Sequence, residues 1–111
     1  MAYLRKENET FEIEYSLSKV WMVIPKVLTK LEWAVEQTDE TVHHIKAKTR
    51  TAPMSFGSVL LIDVAPVGEN KTRVSVVAET PVTTITAIVD FRQGKRRIFM
   101  FFEELAKQLA S

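Results

Sequence analysis

The chain has 111 residues, no cysteine and a formal net charge of +1 at pH 7. This length is typical of a single domain that buries its own hydrophobic core, and the lack of cysteine excludes disulfides and thiolate metal sites. The nearly balanced charge gives no general reason to expect a nucleic-acid or membrane partner. No apolar run reaches the roughly 18 residues of a transmembrane helix, and no signal-peptide pattern opens the chain, so we expect a cytoplasmic protein.

The first third of the chain predicts an arm, a strand and a helix. Residues 1–9 are polar and are expected to form a loose N-terminal arm, followed by a single domain at residues 10–111. Residues 10–15 alternate apolar and polar side chains, which is typical of a half-buried strand. The helix is expected to end near Glu32 and to be kinked or divided at Pro25, since proline lacks the N–H group. Its apolar stripe consists of Val20, Ile24, Val27, Leu28 and Leu31, with Trp21 beside it.

Four further strands are predicted at residues 33–38, 42–49, 58–65 and 72–79. The loop at residues 50–57 is unusually apolar for a connection, because it carries Met54 and Phe56. Residues 80–89 are rich in threonine and isoleucine, which favours extended structure. This stretch is either a sixth strand or an extended connection to the last helix.

The last helix is predicted over residues 90–110, with Asp90 as its N-cap. Gly94 is unfavourable inside a helix by about 1 kcal/mol. It either lets another segment or a ligand approach closely, or marks a helix that starts after it. The predicted apolar face consists of Phe91, Ile98, Phe101, Phe102, Leu105 and Leu109.

Together these elements predict an α+β fold in the order β-α-β-β-β-β-α. Five antiparallel strands, or six if residues 80–89 pair, form one sheet with both helices on the same face. Alternation places Val59, Leu61 and Val77 on the opposite face. Exposed apolar area on a sheet usually marks an interface, so we expect a homodimer contact or a covered face there.

The chain also carries four short motifs: Trp21 in the first helix, Leu31 with Trp33, Phe56-Gly57, and Asp90-Phe91 with Gly94-Lys95 and Ile98. They resemble the pattern of a group of small uncharacterised prokaryotic domains. The element order is similar to the TATA-binding-protein-like topology, whose larger relatives are the birch-pollen-allergen and START helix-grip proteins. This resemblance covers about residues 10–109 and implies the fold, but it transfers no catalytic residues. The chain is shorter than the helix-grip proteins, which argues against a large ligand cavity.

Two groups of residues are candidate binding sites. A small hydrophobic ligand between helix and sheet would be lined by Trp21, Met54, Phe56, Phe91 and Gly94. Cations crowd the start of the last helix, where the helix dipole disfavours them. A bound anion, a partner carboxylate or the residues Glu103 and Glu104 would offset that cost, and the alternative to an anion site is a set of solvated arginines paired with their neighbours. The candidate anion site consists of Arg92, Lys95, Arg96 and Arg97, with Arg50 from the preceding loop.

The sequence shows no recognisable catalytic or metal-binding pattern. His43 and His44 are adjacent on a predicted strand, so they point to opposite faces and are not expected to bind one metal ion. Glu12 and Glu14 share a face and are expected to pair with Lys46 or Lys48 across the sheet. Asp63 has no predictable acid–base partner, and serine lacks a nucleophile motif. We therefore expect no cofactor and no enzyme activity.

Three functions follow as hypotheses. The leading one is a small non-catalytic domain that acts as a protein-interaction or self-association module through the apolar sheet face. The first alternative is a carrier of a small hydrophobic ligand in a groove between helix and sheet. The second alternative is phosphate or nucleic-acid binding through the basic start of the last helix, against which the net charge of +1 argues.

Overall fold

A computed structural model describes residues 3–49, 58–82 and 93–110 of the chain. In these residues, five antiparallel strands form one sheet that two helices cover on one face. This arrangement confirms the predicted α+β class and the order β-α-β-β-β-β-α. The elements are β1 (Tyr3–Ile13), α1 (Leu17–Leu31), β2 (Ala34–Asp39), β3 (His44–Lys48), β4 (Val59–Gly68), β5 (Lys71–Val82) and α2 (Gln93–Ala110).

The strand order in the sheet is β1-β5-β4-β3-β2. Strands β2 to β5 form a meander, whereas β1 pairs with β5, the last strand, in a register that runs from Tyr3↔Val82 to Ile13↔Thr72. Strands β1 and β2 are therefore the two edges of the described sheet. Of the stretch proposed as a sixth strand, residues 80–82 belong to β5 and residues 83–89 lie outside the described residues.

Strand β1 begins much earlier than the sequence pattern predicted. Residues 3–9 are paired with β5, so the expectation of a loose arm over residues 1–9 is wrong for this part. The sequence pattern did not reveal this part of the strand, because its charged side chains face charged partners on both sides of the sheet. The usual alternation of apolar side chains toward the core and polar ones toward solvent is therefore missing here. Lys6 pairs with Glu79 on one face of the sheet (Nζ–Oε2 3.4 Å), and Glu9 faces α2 on the other.

Helix α1 begins after Ser16, whose hydroxyl accepts a hydrogen bond from the backbone N–H of Lys19 at 3.3 Å. It ends at Glu32, which has a left-handed backbone conformation (φ 62°). The helix is continuous through Pro25, so the alternative of two separate helices is wrong. Pro25 is on the exposed side, where water can hydrate the carbonyl that its missing N–H leaves without a partner.

Helix α2 contains Gly94, so the alternative in which the helix starts after this glycine is wrong. The predicted cap Asp90 lies outside the described residues. The buried line of α2 is centred on Phe101 and differs slightly from the predicted one, since Phe102 is only half-buried. In the part of α2 whose side chains the structure describes, the buried apolar residues are Ile98, Phe101, Leu105 and Leu109.

The core lies between the two helices and the covered face of the sheet. Helix α1 contributes the predicted stripe, in which Val20, Ile24, Val27 and Leu28 are fully buried. The sheet contributes alternate residues of β3, β4 and β5, namely Ile45, Ala47, Leu60, Ile62, Val64, Val74, Val76 and Ala78. Neither α1 nor α2, as described, is long and apolar enough to cross a membrane.

Candidate functional site

An apolar cleft of about 270 Å³ opens between the end of β1 and the C-terminal half of α2. It lies at the edge of the helix–sheet interface, beside the packed core. The residues that line it are Phe11, Glu12, Ile13, Tyr15, Phe102, Ala106 and Leu109.

Local geometry explains why these residues meet. Phe11 and Ile13 are two residues apart on β1, so both side chains point toward the helices. Tyr15 follows in a tight turn, in which its N–H donates to the Ile13 carbonyl at 2.9 Å and its own carbonyl accepts from the Thr72 hydroxyl at 2.7 Å. From α2, residues 102, 106 and 109 lie on one line at helical spacing and face β1.

The walls of the cleft are aromatic and partly exposed. The rings of Phe11 and Phe102 meet edge to face with centroids 4.5 Å apart, and Phe102 meets the buried Phe101 ring in the same way at 5.4 Å. Phe11 is 41% exposed and Tyr15 is 37% exposed. Ala106 has only a methyl group, which leaves the space between these rings open. Apolar surface of this kind is available to a ligand without any rearrangement of the core.

Glu12 contributes its backbone to the cleft, because strand alternation sends its side chain to the opposite face of the sheet. There, its carboxylate pairs with Arg73 (Nη2–Oε2 3.1 Å) and with Lys71 (Nζ–Oε1 3.3 Å). The expected partners Lys46 and Lys48 are wrong, because β1 pairs with β5 and not with β3. The hydrogen bonds from Arg73 and Lys71 lower the pKa of Glu12 below its ordinary value of 4.5.

Replacing Glu12 by glutamine is expected to reduce stability at neutral pH, and the difference from the wild type should shrink in acid. A lowered pKa in the folded state means that the ion pairs stabilise the fold fully above pH 4.5, the ordinary value, and that this contribution is lost as the pH falls toward the folded-state pKa. Urea unfolding between about pH 3 and about pH 7 measures the difference.

The matched control is Glu14→Gln, because the Glu14 carboxylate is exposed and makes no ion pair with a described residue. This control should lie close to the wild type at every pH. A Glu12→Gln effect of equal size throughout the pH range would contradict the assignment of the stabilisation to the carboxylate charge.

The first turns of α2 sit on charged residues of β1 instead of on apolar ones. Lys95 Nζ lies 3.6 Å from Glu9 Oε1, on the face of the sheet that elsewhere forms the core. Lys95 also lies over the Phe99 ring, 6.0 Å from its centroid. The carboxylate of Glu9 thus offsets one of the cations that the helix dipole disfavours at this end.

Arg97 is buried at the same end of α2, with only 7% of its surface exposed. Its guanidinium donates to the Ser58 hydroxyl at 2.6 Å. Ser58 in turn is bound to the buried Thr49: the Ser58 N–H donates to Thr49 Oγ1 at 2.8 Å, and the Thr49 N–H donates to the Ser58 carbonyl at 2.9 Å. This polar cluster joins the ends of β3 and β4 to the helix.

The residues proposed for an anion site therefore have different surroundings. Lys95 is directed to Glu9, Arg97 is buried against Ser58, and Arg96 is exposed. Arg92 and Arg50 lie outside the described residues. The anion site stays a prediction. The described cations Lys95, Arg96 and Arg97 are not directed to one common point.

The two described residues of the set proposed for a hydrophobic ligand, Trp21 and Gly94, lie away from the cleft. Trp21 is half-buried on α1, where its ring meets the His43 ring edge to face at 4.9 Å. Gly94 lies in the first turn of α2, and neither residue lines the cleft. Met54, Phe56 and Phe91 lie outside the described residues.

The two histidines occupy different surroundings, but the expectation that both lie on one strand is wrong, because β3 begins at His44. His43 precedes β3 with a left-handed backbone conformation (φ 53°) and packs on Trp21. His44 starts β3, and its Nδ1 lies 2.8 Å from Asp63 Oδ1 on the open face. Within the described ranges, no group of three potential ligands is placed to hold a metal ion.

Solved structures similar to this chain share its fold at low sequence identity. A point mutant of norcoclaurine synthase from Thalictrum flavum, in complex with a transition-state analogue, has a TM-score of 0.73 and 10% identity over 99% of this chain and 96% of that one. Another structure of the same enzyme contains dopamine and hydroxybenzaldehyde. The Zhui aromatase/cyclase from Streptomyces sp. R1128 has a TM-score of 0.68 and 9% identity over 97% and 94%.

An uncharacterised protein from Bacillus thuringiensis has a TM-score of 0.63 and 14% identity over 95% of this chain and 96% of that chain. No protein-family model and no curated protein sequence matches the chain. The chain has a helix-grip fold. The resemblance to small uncharacterised prokaryotic domains and to helix-grip proteins is therefore confirmed at the level of the fold.

Proposed function

We propose that this protein binds a small, largely apolar ligand in the cleft between β1 and α2 and acts as its carrier. The observation that carries the proposal is the cleft wall itself, in which Phe11 and Tyr15 expose about two fifths of their surface beside the half-buried Phe102. Ligand sites in proteins are typically concave, apolar and lined by aromatic side chains, with a few polar groups that orient the ligand. The Tyr15 hydroxyl is the polar side-chain group available here.

The size of the cleft indicates the size of the ligand. Its volume of about 270 Å³ lies just below the range of about 300–1,000 Å³ that is usual for drug-sized ligands. One or two aromatic rings fit this space and can meet the Phe11 and Phe102 rings edge to face or offset, as aromatic groups prefer. The helix-grip proteins in the comparison support this ligand class, since norcoclaurine synthase has been solved in complex with the small aromatic compounds dopamine and hydroxybenzaldehyde.

The proposal is one of binding and assigns no reaction. Two of the similar structures are enzymes by name. At identities of 9–10%, the similarity extends to the fold and does not transfer the catalytic residues of those enzymes to this chain. The leading sequence hypothesis, a protein-interaction or self-association module, concerns the face of the sheet that the helices leave uncovered.

Filling the cleft by the substitution Ala106→Phe is expected to weaken ligand binding at least tenfold. Ala106 is exposed, so a larger side chain occupies the space between Phe11 and Phe102 without entering the core. The probe is 6-propionyl-2-dimethylaminonaphthalene, a neutral dye with two fused aromatic rings whose emission shifts to shorter wavelength in apolar surroundings. Its titration gives the dissociation constant, and a tenfold change corresponds to about 1.4 kcal/mol.

The matched control is Ala110→Phe, the same substitution at an exposed position of α2 that does not line the cleft. This variant should bind the dye as the wild type does. Binding that is equal in the wild type and Ala106→Phe, or no binding by the wild type, would overturn the proposal. Native mass spectrometry of freshly purified protein adds a test for a retained natural ligand, seen as extra mass that is lost on denaturation.

A further inference from the structure

The face of the sheet that the helices leave uncovered has an apolar centre. Cross-strand register places Leu61 of β4 opposite Val77 of β5, with Val59 two residues away on the same face. All three side chains are half-buried, and no described element packs over them. We call Val59, Leu61 and Val77 the sheet-face patch. This patch confirms the predicted alternation.

Charges on the two sides of the patch differ. On the β3 side, Lys46 and Lys48 point to the open face, and neither makes an ion pair with a described residue. On the β5 side, Glu79 lies next to Val59 in the register and is 3.4 Å from Lys6 of β1. The face therefore presents, on one side, two cations that no described residue pairs with and, on the other, an acidic residue.

The register places these groups in rows that run across the strands. One row contains Lys48, Val59 and Glu79, and the next contains Lys46, Leu61 and Val77. A second copy can pack face to face on this surface about a two-fold axis that lies in the interface. Such an axis runs either along the strands or across them, and the two choices bring different residues together.

A two-fold axis along β4 places β3 of one copy over β5 of the other, and each row of residues then faces the same row of the second copy. Leu61 then meets its own copy, and Lys48 of one protomer lies beside Glu79 of the other, so that the pair forms twice. An axis across the strands instead brings Lys46 against its own copy, which is repulsive. Asp63, two residues beyond Leu61, also lies on the axis along β4 and meets its own copy, but each carboxylate is 2.8 Å from His44 Nδ1. That one like-charge contact is set against two Lys48–Glu79 pairs. Charge complementarity therefore favours the axis along β4.

The dimensions of the face suit a modest dimer interface. Neighbouring strands lie about 4.8 Å apart and each residue adds about 3.3 Å, so five strands that average about nine residues project roughly 700 Å². The corrugated accessible surface is larger and approaches the roughly 800 Å² per partner of a standard interface. Two sheets packed in this way would lie about 10 Å apart.

We propose that two copies of this chain associate through the open face of the sheet, about a two-fold axis along β4 that joins the sheet-face patches and places Lys48 of each copy beside Glu79 of the other. The cleft between β1 and α2 lies on the helix side of the sheet and stays accessible in this dimer. The self-association therefore goes beyond the proposed ligand binding, and failure of either proposal leaves the other untouched.

The first test is the oligomeric state of the full chain by sedimentation velocity, at concentrations up to about 1 mM. The wild type is expected to show a monomer–dimer equilibrium. Leu61→Lys places two ammonium groups on the axis and should raise the dissociation constant of the dimer at least about tenfold. The control Val42→Lys changes an exposed valine of the β2–β3 turn and should leave the equilibrium unchanged.

A charge exchange tests the direction of the axis. Lys48→Glu should weaken the dimer about tenfold. Lys6→Glu combined with Glu79→Lys keeps the ion pair within the protomer in reversed sense and should weaken the dimer by a similar factor. The triple variant should restore the dimer, because the pair across the interface is rebuilt with opposite sense. A wild type that stays monomeric, or a dimer that Leu61→Lys does not weaken, would overturn the proposal. A triple variant without restoration would overturn the arrangement about β4. Circular dichroism of each variant confirms that the fold is retained.

Discussion

Phe101→Ala is expected to lower the free energy of unfolding by about 3–5 kcal/mol. Phe101 is the largest fully buried side chain among the described residues, and its ring meets that of Phe102 edge to face at 5.4 Å. Removing the ring takes away its transfer free energy and leaves a cavity between α2 and the sheet. Because a domain of this size is stable by about 5–15 kcal/mol, the variant should be close to unfolding at physiological temperature.

Phe99→Ala is the matched control for this prediction, since it is the same substitution two residues earlier on the same helix. Phe99 is 48% exposed and contacts Lys95 at the protein surface. Its loss should cost less than about 1 kcal/mol. Urea unfolding followed by circular dichroism measures both variants. Similar losses for Phe99 and Phe101 would contradict the position of α2 on the sheet.

Arg97→Ala is expected to lower the free energy of unfolding by about 1.5–3 kcal/mol, the range for hydrogen bonds of charged groups. The guanidinium is buried and donates to Ser58 at 2.6 Å, and its aliphatic stem packs where the helix meets the sheet. Ser58→Ala should cost a similar amount, because it removes an acceptor from a buried cation. The double variant should cost less than the sum of the two losses.

Urea unfolding of the four proteins completes a double-mutant cycle whose coupling energy is expected to be about 0.5–3 kcal/mol. Arg96→Ala is the control, because Arg96 is the exposed neighbour on the same helix and its loss should change stability by no more than about 0.5 kcal/mol. Losses that simply add for Arg97→Ala and Ser58→Ala would show that the hydrogen bond contributes nothing of its own.

Helix α1 and the strand alternation were predictable because each depends on local periodicity. The stripe from Val20 to Leu28 faces the core as helical spacing requires, and β3 and β4 bury every second residue. By contrast, the true start of β1 at Tyr3 escaped prediction. Its charged residues face Lys95 of α2 on one side and Glu79 of β5 on the other, and both contacts come from distant parts of the chain.

The candidate site likewise combines features that the sequence pattern predicts with features that depend on contacts between distant residues. Phe11, Ile13 and Tyr15 share one face in the sequence pattern, and Phe102 and Leu109 belong to the predicted apolar side of the last helix. Nothing in the pattern shows that β1 is an edge strand, so it does not show that Phe11 and Tyr15 remain exposed. Ala106 also carries no signal by itself, because a small residue opens a cleft only where its neighbours are large and fixed.

The sequence by itself determined the number and order of the described elements, their class and the side that β3, β4 and β5 turn to the core. These properties follow from periodicity within single elements, since 3.6 residues per helical turn and two per strand repeat set which side chains share a face. Only the tertiary structure decided that β1 joins β5, that Arg97 is buried against Ser58, and that a cleft opens beside Ala106. Those features depend on contacts between residues far apart in the chain, whose geometry no local pattern contains.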